Sequence, residues 1–192
     1  MMVKICGITN LEDARAAIEG GAVALGFNFW RGSPRYIAPE SARRLIEKLP
    51  TAVLKVGVFV DEAPGGIGAI ARETGLDVVQ LHGCERASDF PEGLRVWKAV
   101  RIEKEFEQRT LDQFPAEALL LDGPSNGVPF DWTIAAGIRR KVIVAGGLDA
   151  ENVGRAIEQA RPWGVDACSR IESVPGKKDH RKMAQFLKAA LG

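Results

Sequence analysis

A thiol and a carboxylate each follow a short apolar run of this sequence, and both groups can move protons. Cys6 ends a run that begins at Val3, and Asp122 follows Leu119-Leu120-Leu121. A thiol with a lowered pKa can act as a base near neutral pH, and Lys4 lies two residues from Cys6, on the same face of a strand. A carboxyl group in a dry pocket has a raised pKa and can act as a general acid. The two residues are therefore a candidate acid–base pair.

Both candidates also have simpler interpretations. Most free cysteines are small buried core residues, and a nucleophilic cysteine would call for a histidine partner. Because His82 is expected three strands away, we favour a base over a nucleophile for Cys6. Asp122 followed by Gly123 and Pro124 is a good turn sequence. For Asp122 the residues alone leave the turn and the acid both open.

Polar residues and glycines follow the later apolar runs as well. The backbone amides of Gly146 and Gly147 could contact an anion, and Cys168 and Ser169 could begin a short helix whose N-terminus binds phosphate. A glycine pair alone would also serve as an ordinary turn. The glycine pair and the short polar segment together indicate a phosphorylated ligand.

Three further side chains are expected at the same edge of the sheet. The guanidinium of Arg35 could hold a carboxylate through two hydrogen bonds, although its spacing alone favours a solvated loop arginine. His82 ends one run and is either a substrate contact or a satisfied histidine at a strand end. Asp166 lies at the end of the last run.

Helix signals alternate with the apolar runs along the whole chain. The predicted strands are Val3–Cys6, Ala22–Phe27, Val53–Val60, Asp77–Leu81, Arg95–Val100, Ala118–Leu121, Lys141–Val144 and Val165–Ala167. The predicted helices are Leu11–Glu19 capped at Thr9-Asn10, Glu40–Lys48, one after Pro64 that ends near Thr74, a short one between Glu85 and Phe90, and 103–114, 131–138, 149–160 and 179–190.

Eight strands that are each followed by a helix predict an all-parallel sheet with right-handed crossovers. We predict an α/β fold, a compact (β/α)8 TIM barrel formed by residues 1–192 as a single domain. The 192 residues leave 24 for each unit, so several helices must be short. A doubly wound open sheet is the alternative, but no GxGxxG turn follows the first strand.

Composition excludes several classes of partner. The chain has 26 Lys and Arg against 25 Asp and Glu, so no basic field recruits nucleic acid or anionic lipid. No apolar run approaches the ~18 residues of a membrane span, and the N-terminus does not have the zones of a signal peptide. Three distant cysteines without CxxC spacing argue against a disulfide framework and a zinc site. We expect a cytoplasmic enzyme or binding domain with no metal ion.

Several motifs, in the same order along the chain, resemble the phosphoribosylanthranilate isomerase family. They are Lys4-Ile5-Cys6-Gly7-Ile8-Thr9, Ser33-Pro34-Arg35, Val79-Gln80-Leu81-His82-Gly83, Leu121-Asp122, Phe130-Asp131-Trp132, Ala145-Gly146-Gly147-Leu148, Asn152-Val153, Gly164-Val165-Asp166, Pro175-Gly176 and Lys178-Asp179. The resemblance extends from Lys4 to about Phe186.

The resemblance implies a cofactor-free Amadori rearrangement in tryptophan biosynthesis. N-(5-phosphoribosyl)anthranilate would become 1-(2-carboxyphenylamino)-1-deoxyribulose 5-phosphate, with Cys6 as general base and Asp122 as general acid. The implied binding residues are Arg35 near the anthranilate carboxylate, His82 and Asp166 facing the substrate, and Gly146, Gly147, Cys168 and Ser169 at the phosphate. The only partner expected is this small phosphorylated substrate, and the chain is expected to be a monomer or homodimer.

The sequence departs from the family pattern in two loops. Residues 123–129 replace a GG[ST]G-like run, and Cys168-Ser169-Arg170 replaces Ser-Ser-Gly. Three alternative functions remain open. The first is the aminoaldose isomerisation of histidine biosynthesis, which would be expected to use an aspartate at the position of Cys6. The others are a non-catalytic barrel that only binds phosphorylated ligands and a redox sensor built on Cys6 and Cys168.

Overall fold

A closed barrel of eight parallel strands forms the centre of the molecule. The computed structural model describes residues 1–103, 105–124 and 128–192. The strands are β1 (Met2–Ile5), β2 (Ala24–Asn28), β3 (Leu54–Phe59), β4 (Val78–Leu81), β5 (Val96–Arg101), β6 (Ala118–Asp122), β7 (Lys141–Val144) and β8 (Gly164–Ala167). They lie in the order of the chain, and β1 pairs with β8 to close the barrel. This confirms the predicted (β/α)8 barrel, and every predicted strand is present.

Two apolar layers bury both faces of the strands, which explains the nearly continuous apolar runs. The smaller layer fills the barrel interior and centres on the fully buried Trp97, whose ring meets Trp163 edge to face at 5.8 Å. The larger layer lies between the barrel and the surrounding helices, with Phe27 and Phe186 fully buried in it. The closed, filled barrel is a rigid support for side chains at its rim.

The helices mostly follow the sequence pattern. They are α1 (Leu11–Glu19), α2 (Pro39–Ile46), α3 (Pro64–Thr74), α4 (Thr133–Ala136), α5 (Val153–Ala160) and α6 (His180–Leu191). Asn10 caps α1 by accepting from the amide of Asp13 at 2.8 Å, and Asp179 caps α6. In the described residues, no helix is long and apolar enough to cross a membrane.

The predicted helix over 103–114 is wrong. A six-residue 3-10 helix, Gln108–Gln113, lies there instead, and Lys104 falls outside the described residues. Leu111 is the one buried residue of that helix, so the segment gains too little burial to stabilise a longer one. The fourth crossover is likewise only a 3-10 turn, Ala87–Asp89, in the place where a short helix was expected.

A short hairpin follows β8. A 3-10 helix, Ser169–Ile171, leads into β9 (Glu172–Val174), which pairs antiparallel with β10 (Lys177–Lys178). This hairpin lies between the last barrel strand and α6. It therefore brings charged side chains to the carboxyl end of the barrel.

Candidate active site

Cys6 lies at the carboxyl end of β1, in a space that a glycine on the next strand leaves open. A Cβ atom on Gly26 would lie 2.7 Å from the Cys6 Sγ, so any larger residue there would displace the thiol. The amide of Cys6 donates to the carbonyl of Ala167 at 2.9 Å. This bond belongs to the last pair of the β1–β8 ladder, Ile5 and Ala167, so Cys6 and Cys168 directly follow that pair on neighbouring strands. The thiol is partly exposed at the barrel mouth.

Positive charges surround the Cys6 thiol. A hydrogen bond from the Cys168 thiol and the charges of Lys4 and Lys178 hold the pKa of Cys6 well below its ordinary value, although burial opposes this shift. The prediction that Lys4 shares the face of Cys6 is confirmed, because the Cys6 Sγ and the Lys4 Cε lie 2.7 and 3.2 Å from the same position, that of a Cβ atom on Gly26. Cys6 is therefore suited to carry a negative charge at neutral pH and to accept a proton.

Asp166 lies beside Lys4 in the barrel interior. The fully buried Nζ of Lys4 is 2.9 Å from Oδ2 of Asp166. Burial raises the pKa of Asp166 to about 7, although the charge of Lys4 opposes that rise. Its second oxygen, Oδ1, is buried and accepts no hydrogen bond from the described residues. An unpaired buried acceptor is costly, so this oxygen is suited to accept a hydrogen bond from a hydroxyl group of a ligand.

Asp122 is the last residue of β6, and His82 contacts it. The Nε2 atom of His82 is 3.2 Å from Oδ2 of Asp122, and Nε2 of Gln80 is 3.3 Å from Nδ1 of the same ring. With Nδ1 accepting from the amide of Gln80, the ring carries its proton on Nε2 and donates to Asp122. Gln80 is fully buried in β4 and received no role from the sequence, although it lies in the Val79-Gln80-Leu81-His82-Gly83 motif.

The β7 loop packs closely against Asp122. Gly146 has φ +81°, and a Cβ atom there would lie 2.5 Å from the Gly123 nitrogen and 2.8 Å from the Asp122 Oδ1. Gly147 is also left-handed, with φ +68°, and its carbonyl accepts from the Asn152 amide at 2.8 Å. The glycine pair therefore lets the two loops approach each other. Residues 125–127 of the loop after Asp122 lie outside the described residues.

Arg35 lies in the loop after β2 and forms an ion pair that the sequence did not indicate. Its Nε and Nη2 atoms donate to Glu172 at 2.9 and 2.6 Å, so the interpretation as a solvated arginine is wrong. The buried Nζ of Lys178 is also 2.9 Å from Glu172. Hydrogen bonds from Arg35 and Lys178 hold the pKa of Glu172 below its ordinary value despite burial.

Several of these contacts could not be found from local pattern. Lys178 lies just before α6 in the sequence, and the β9–β10 hairpin turns it inward. A second buried pair, Lys98 and Glu85 at 2.9 Å, supports the loop that carries His82, since Lys98 also donates to the Gly83 carbonyl at 2.7 Å. No motif distinguished Lys98 and Glu85 from surface charges, and the Lys178-Asp179 motif did not indicate the contact of Lys178 with Glu172.

The loop after β8 begins with the short 3-10 helix expected from the sequence. Cys168 precedes this helix, Ser169 is its first residue, and Ser169 is exposed. The phosphate-binding role of Gly146, Gly147, Cys168 and Ser169 stays a prediction. Among the residues described, no three His, Cys, Asp or Glu side chains are grouped to hold a metal ion.

Known proteins are similar to this chain in sequence and in architecture over nearly their full lengths. A sequence profile described as N-(5'-phosphoribosyl)anthranilate (PRA) isomerase matches residues 3–189. The N-(5'-phosphoribosyl)anthranilate isomerase of Solibacter usitatus (strain Ellin6076) is 54% identical over 201 residues, which cover 100% of both chains.

Solved structures give the same result. The crystal structure of phosphoribosyl anthranilate isomerase from Thermotoga maritima is 43% identical and has a TM-score of 0.92, covering 100% of this chain and 99% of the other. A crystal structure of the isomerase in complex with reduced 1-(o-carboxyphenylamino)-1-deoxyribulose 5-phosphate is 44% identical, has a TM-score of 0.90 and is covered to the same extent.

Proposed function

The chain belongs to the N-(5'-phosphoribosyl)anthranilate isomerase family, and from that premise we propose that Cys6 is the general base and Asp122 the general acid of its reaction. The chain is an isomerase of tryptophan biosynthesis. The observation that carries the assignment of roles is the Cys6 thiol, which lies beside Lys4 at the barrel mouth with a lowered pKa. A base with a low pKa is in its reactive form at neutral pH.

The reaction begins with two proton transfers and ends with a tautomerisation, in which C1 gains a proton and the C2 hydroxyl loses one. Asp122 protonates the ring oxygen of the phosphoribosyl group, and the ring opens to an iminium ion. The Cys6 thiolate then removes the proton from C2, and the resulting enolamine tautomerises to the ketone product. The hydrogen bond between His82 and Asp122, at 3.2 Å, orients the carboxyl group of the acid. Positioned acid and base groups each contribute roughly 10²–10⁴-fold to such reactions.

The neighbouring side chains bind the substrate. Arg35 uses Nε and Nη2 for Glu172, and its Nη1 makes no hydrogen bond to the described residues, so Nη1 is available to the anthranilate carboxylate. The unpaired Oδ1 of Asp166 accepts a sugar hydroxyl, and His82 borders the same space. Each of these groups is polar, half-buried or buried, and close to the proposed acid or base.

Gly146, Gly147, Cys168 and Ser169 hold the phosphate. Support comes from the related isomerase that was crystallised with a 5-phosphate ligand. Both glycines have a positive φ, a backbone conformation that other residues rarely adopt and that occurs in anion-binding loops. A cytoplasmic location, a monomeric or homodimeric state and the absence of a nucleic-acid partner stay predictions.

The test is turnover of N-(5'-phosphoribosyl)anthranilate, generated in situ and followed by the loss of its fluorescence. We expect Cys6→Ala and Asp122→Asn each to lower kcat by about 10²–10⁴-fold while binding of the reduced product analogue is retained. The matched controls are Cys84→Ala and Asp112→Asn, at two exposed positions outside the site, and these should keep the wild-type rate. Near-normal rates in both site variants would contradict the assigned roles. Analogue binding by a wild-type chain without turnover would instead favour a binding-only barrel.

A further inference from the structure

The thiols of Cys6 and Cys168 lie opposite each other at the junction that closes the barrel. The β1–β8 register ends at Ile5 and Ala167, which the hydrogen bond from the Cys6 amide to the Ala167 carbonyl holds together, and Cys6 and Cys168 are the next residues of the two strands. Neighbouring strands lie about 4.8 Å apart, within the ~4.4–6.8 Å range of Cα separations in disulfides. The Cys168 thiol is near enough to Cys6 to lower the pKa of the Cys6 thiol.

The surroundings of the pair favour a reactive thiolate. Lys4 lies two residues before Cys6 and on the same face of the strand. The Lys178 Nζ is 3.8 Å from the Cys168 Sγ. Both thiols are partly exposed, so a small oxidant can reach them from the barrel mouth. The thiolate is the form of cysteine that peroxides oxidise, and a neighbouring thiol then captures the sulfenic acid.

The backbone around the pair leaves room for movement of the side chains. Cys168 lies beyond the last paired residue of β8, with φ −139° and ψ −86°, so no strand pairing holds it. A Cβ atom on Gly7 would lie 3.1 Å from the Cys168 Sγ, so any larger residue there would crowd the sulfur. The two sulfurs can therefore come together without breaking the barrel.

We propose that Cys6 and Cys168 form a peroxide-sensitive pair that closes reversibly into a disulfide. The Cys6 thiolate attacks a hydroperoxide, the O–O bond breaks, and Cys6 becomes a sulfenic acid as hydroxide or alkoxide leaves. The Cys168 sulfur then forms the S–S bond, the S–O bond of Cys6 breaks, and the departing hydroxide takes the Cys168 proton as water. The peroxide is reduced by two electrons, and the two thiols are oxidised.

The disulfide would remove the thiolate from the barrel mouth. Loss of isomerase activity on oxidation rests on the proposed role of Cys6 as the base, whereas formation of the disulfide does not. The third cysteine, Cys84, is exposed in the loop after β4 and belongs to a different part of the rim. It serves as an internal reference for non-selective oxidation.

The experiment treats the full chain with hydrogen peroxide and measures free thiols, intact mass and peptide linkage without reductant. We expect the wild type to lose two of its three free thiols and about 2 Da in mass, with a Cys6–Cys168 peptide as the product. Dithiothreitol should restore both the thiols and the activity. Cys84→Ala should behave in the same way.

The matched variant is Cys168→Ser, which keeps the size of the side chain and removes the second sulfur. Under the same treatment it should gain about 16 or 32 Da on Cys6 and should not form the linked peptide. A wild type that only gains oxygen, or that crosslinks through Cys84, overturns the proposal. If the disulfide forms while activity persists, the thiol pair stands and the role of Cys6 as base is wrong.

Discussion

Glu172 holds the guanidinium of Arg35 through both Nε and Nη2, and this contact joins two loops that are 137 residues apart in the chain. The same carboxylate accepts from the buried Lys178 at 2.9 Å. The aliphatic part of Arg35 passes over Gly7, where a Cβ atom would lie 2.7 Å from the Arg35 Cδ. Glu172 therefore determines where the charge of Arg35 lies relative to the thiol of Cys6.

Glu172→Gln weakens the hold on Arg35 and should raise KM about tenfold, while kcat changes less. A tenfold change corresponds to the loss of roughly one hydrogen bond to a charged group. The same change removes the carboxylate partner of the buried Lys178 and should lower the free energy of unfolding by about 3–5 kcal/mol. Steady-state kinetics and urea unfolding measure the two effects. The exposed pair Arg43–Glu47 provides the control, because Glu47→Gln should change neither quantity appreciably.

A double variant separates binding from stability at this site. Adding Lys178→Met to Glu172→Gln removes the buried charge and should recover much of the lost stability, while the high KM remains. Unchanged KM in both variants would show that Glu172 has no part in positioning Arg35.

Gly146→Ala should lower kcat by up to about 10²-fold, because its Cβ would displace the carboxyl group of Asp122 and misplacement of a catalytic group has costs of this size. The positive φ of Gly146 adds about 1–2 kcal/mol of destabilisation. Gly154→Ala is the matched change, since Gly154 lies exposed in α5 with open space around it, and it should stabilise the chain by up to about 1 kcal/mol. Equal rates for the two variants would contradict the close approach to Asp122.

Cys168→Ala should shift the onset of Cys6 reactivity to higher pH. The hydrogen bond from the Cys168 thiol is the largest cause of the low pKa of Cys6, and its loss lets burial raise that pKa. The thiolate is the form that iodoacetamide alkylates, and it predominates only above the pKa. Alkylation of Cys6 should therefore begin at a higher pH in the Cys168→Ala variant than in the wild type. Cys168→Ser keeps a hydroxyl donor and should stay closer to the wild type. Measurements in a Cys84→Ala background exclude the exposed thiol, and coincident profiles for Ala and Ser would contradict this account.

Glu117→Gln should destabilise the chain at neutral pH but not in strong acid. Hydrogen bonds from Arg95, and from Lys141, lower the pKa of Glu117 to about 2. A carboxylate with a depressed pKa in the folded state contributes stability above its unfolded pKa of about 4.3 and loses it as pH falls towards 2. Because Arg95 and Lys141 are half-exposed, we expect only about 1 kcal/mol at pH 7. Urea unfolding of the wild type and of Glu117→Gln, from pH 7 downwards, measures the difference in their free energies of unfolding. A difference that persists at about pH 2 would contradict the lowered pKa of Glu117.

Local pattern was enough to predict the elements of the barrel. Apolar runs of four to six residues mark each strand, and Asn10, Pro64 and Asp179 mark helix starts, because these signals depend only on neighbours in the chain. The same short range placed Lys4 beside Cys6, since side chains two residues apart on a strand share a face. Local pattern gave a wrong helix over 103–114. The 3-10 helix that lies there, Gln108–Gln113, buries only Leu111.

The contacts that decide the chemistry come from the closure of the barrel. Cys6 lies near Cys168 because β1 pairs with β8. Asp122 contacts His82 at the barrel mouth, where only β5 separates their strands. Neither pair is close in the chain. The β9–β10 hairpin turns Lys178 inward to Glu172, and Glu172 in turn holds Arg35. The amino-acid sequence by itself determined the strands, most of the helices and the residue types at the strand ends. Only the tertiary structure decided which charges neighbour one another, because register and burial are properties of the closed sheet and not of any single strand.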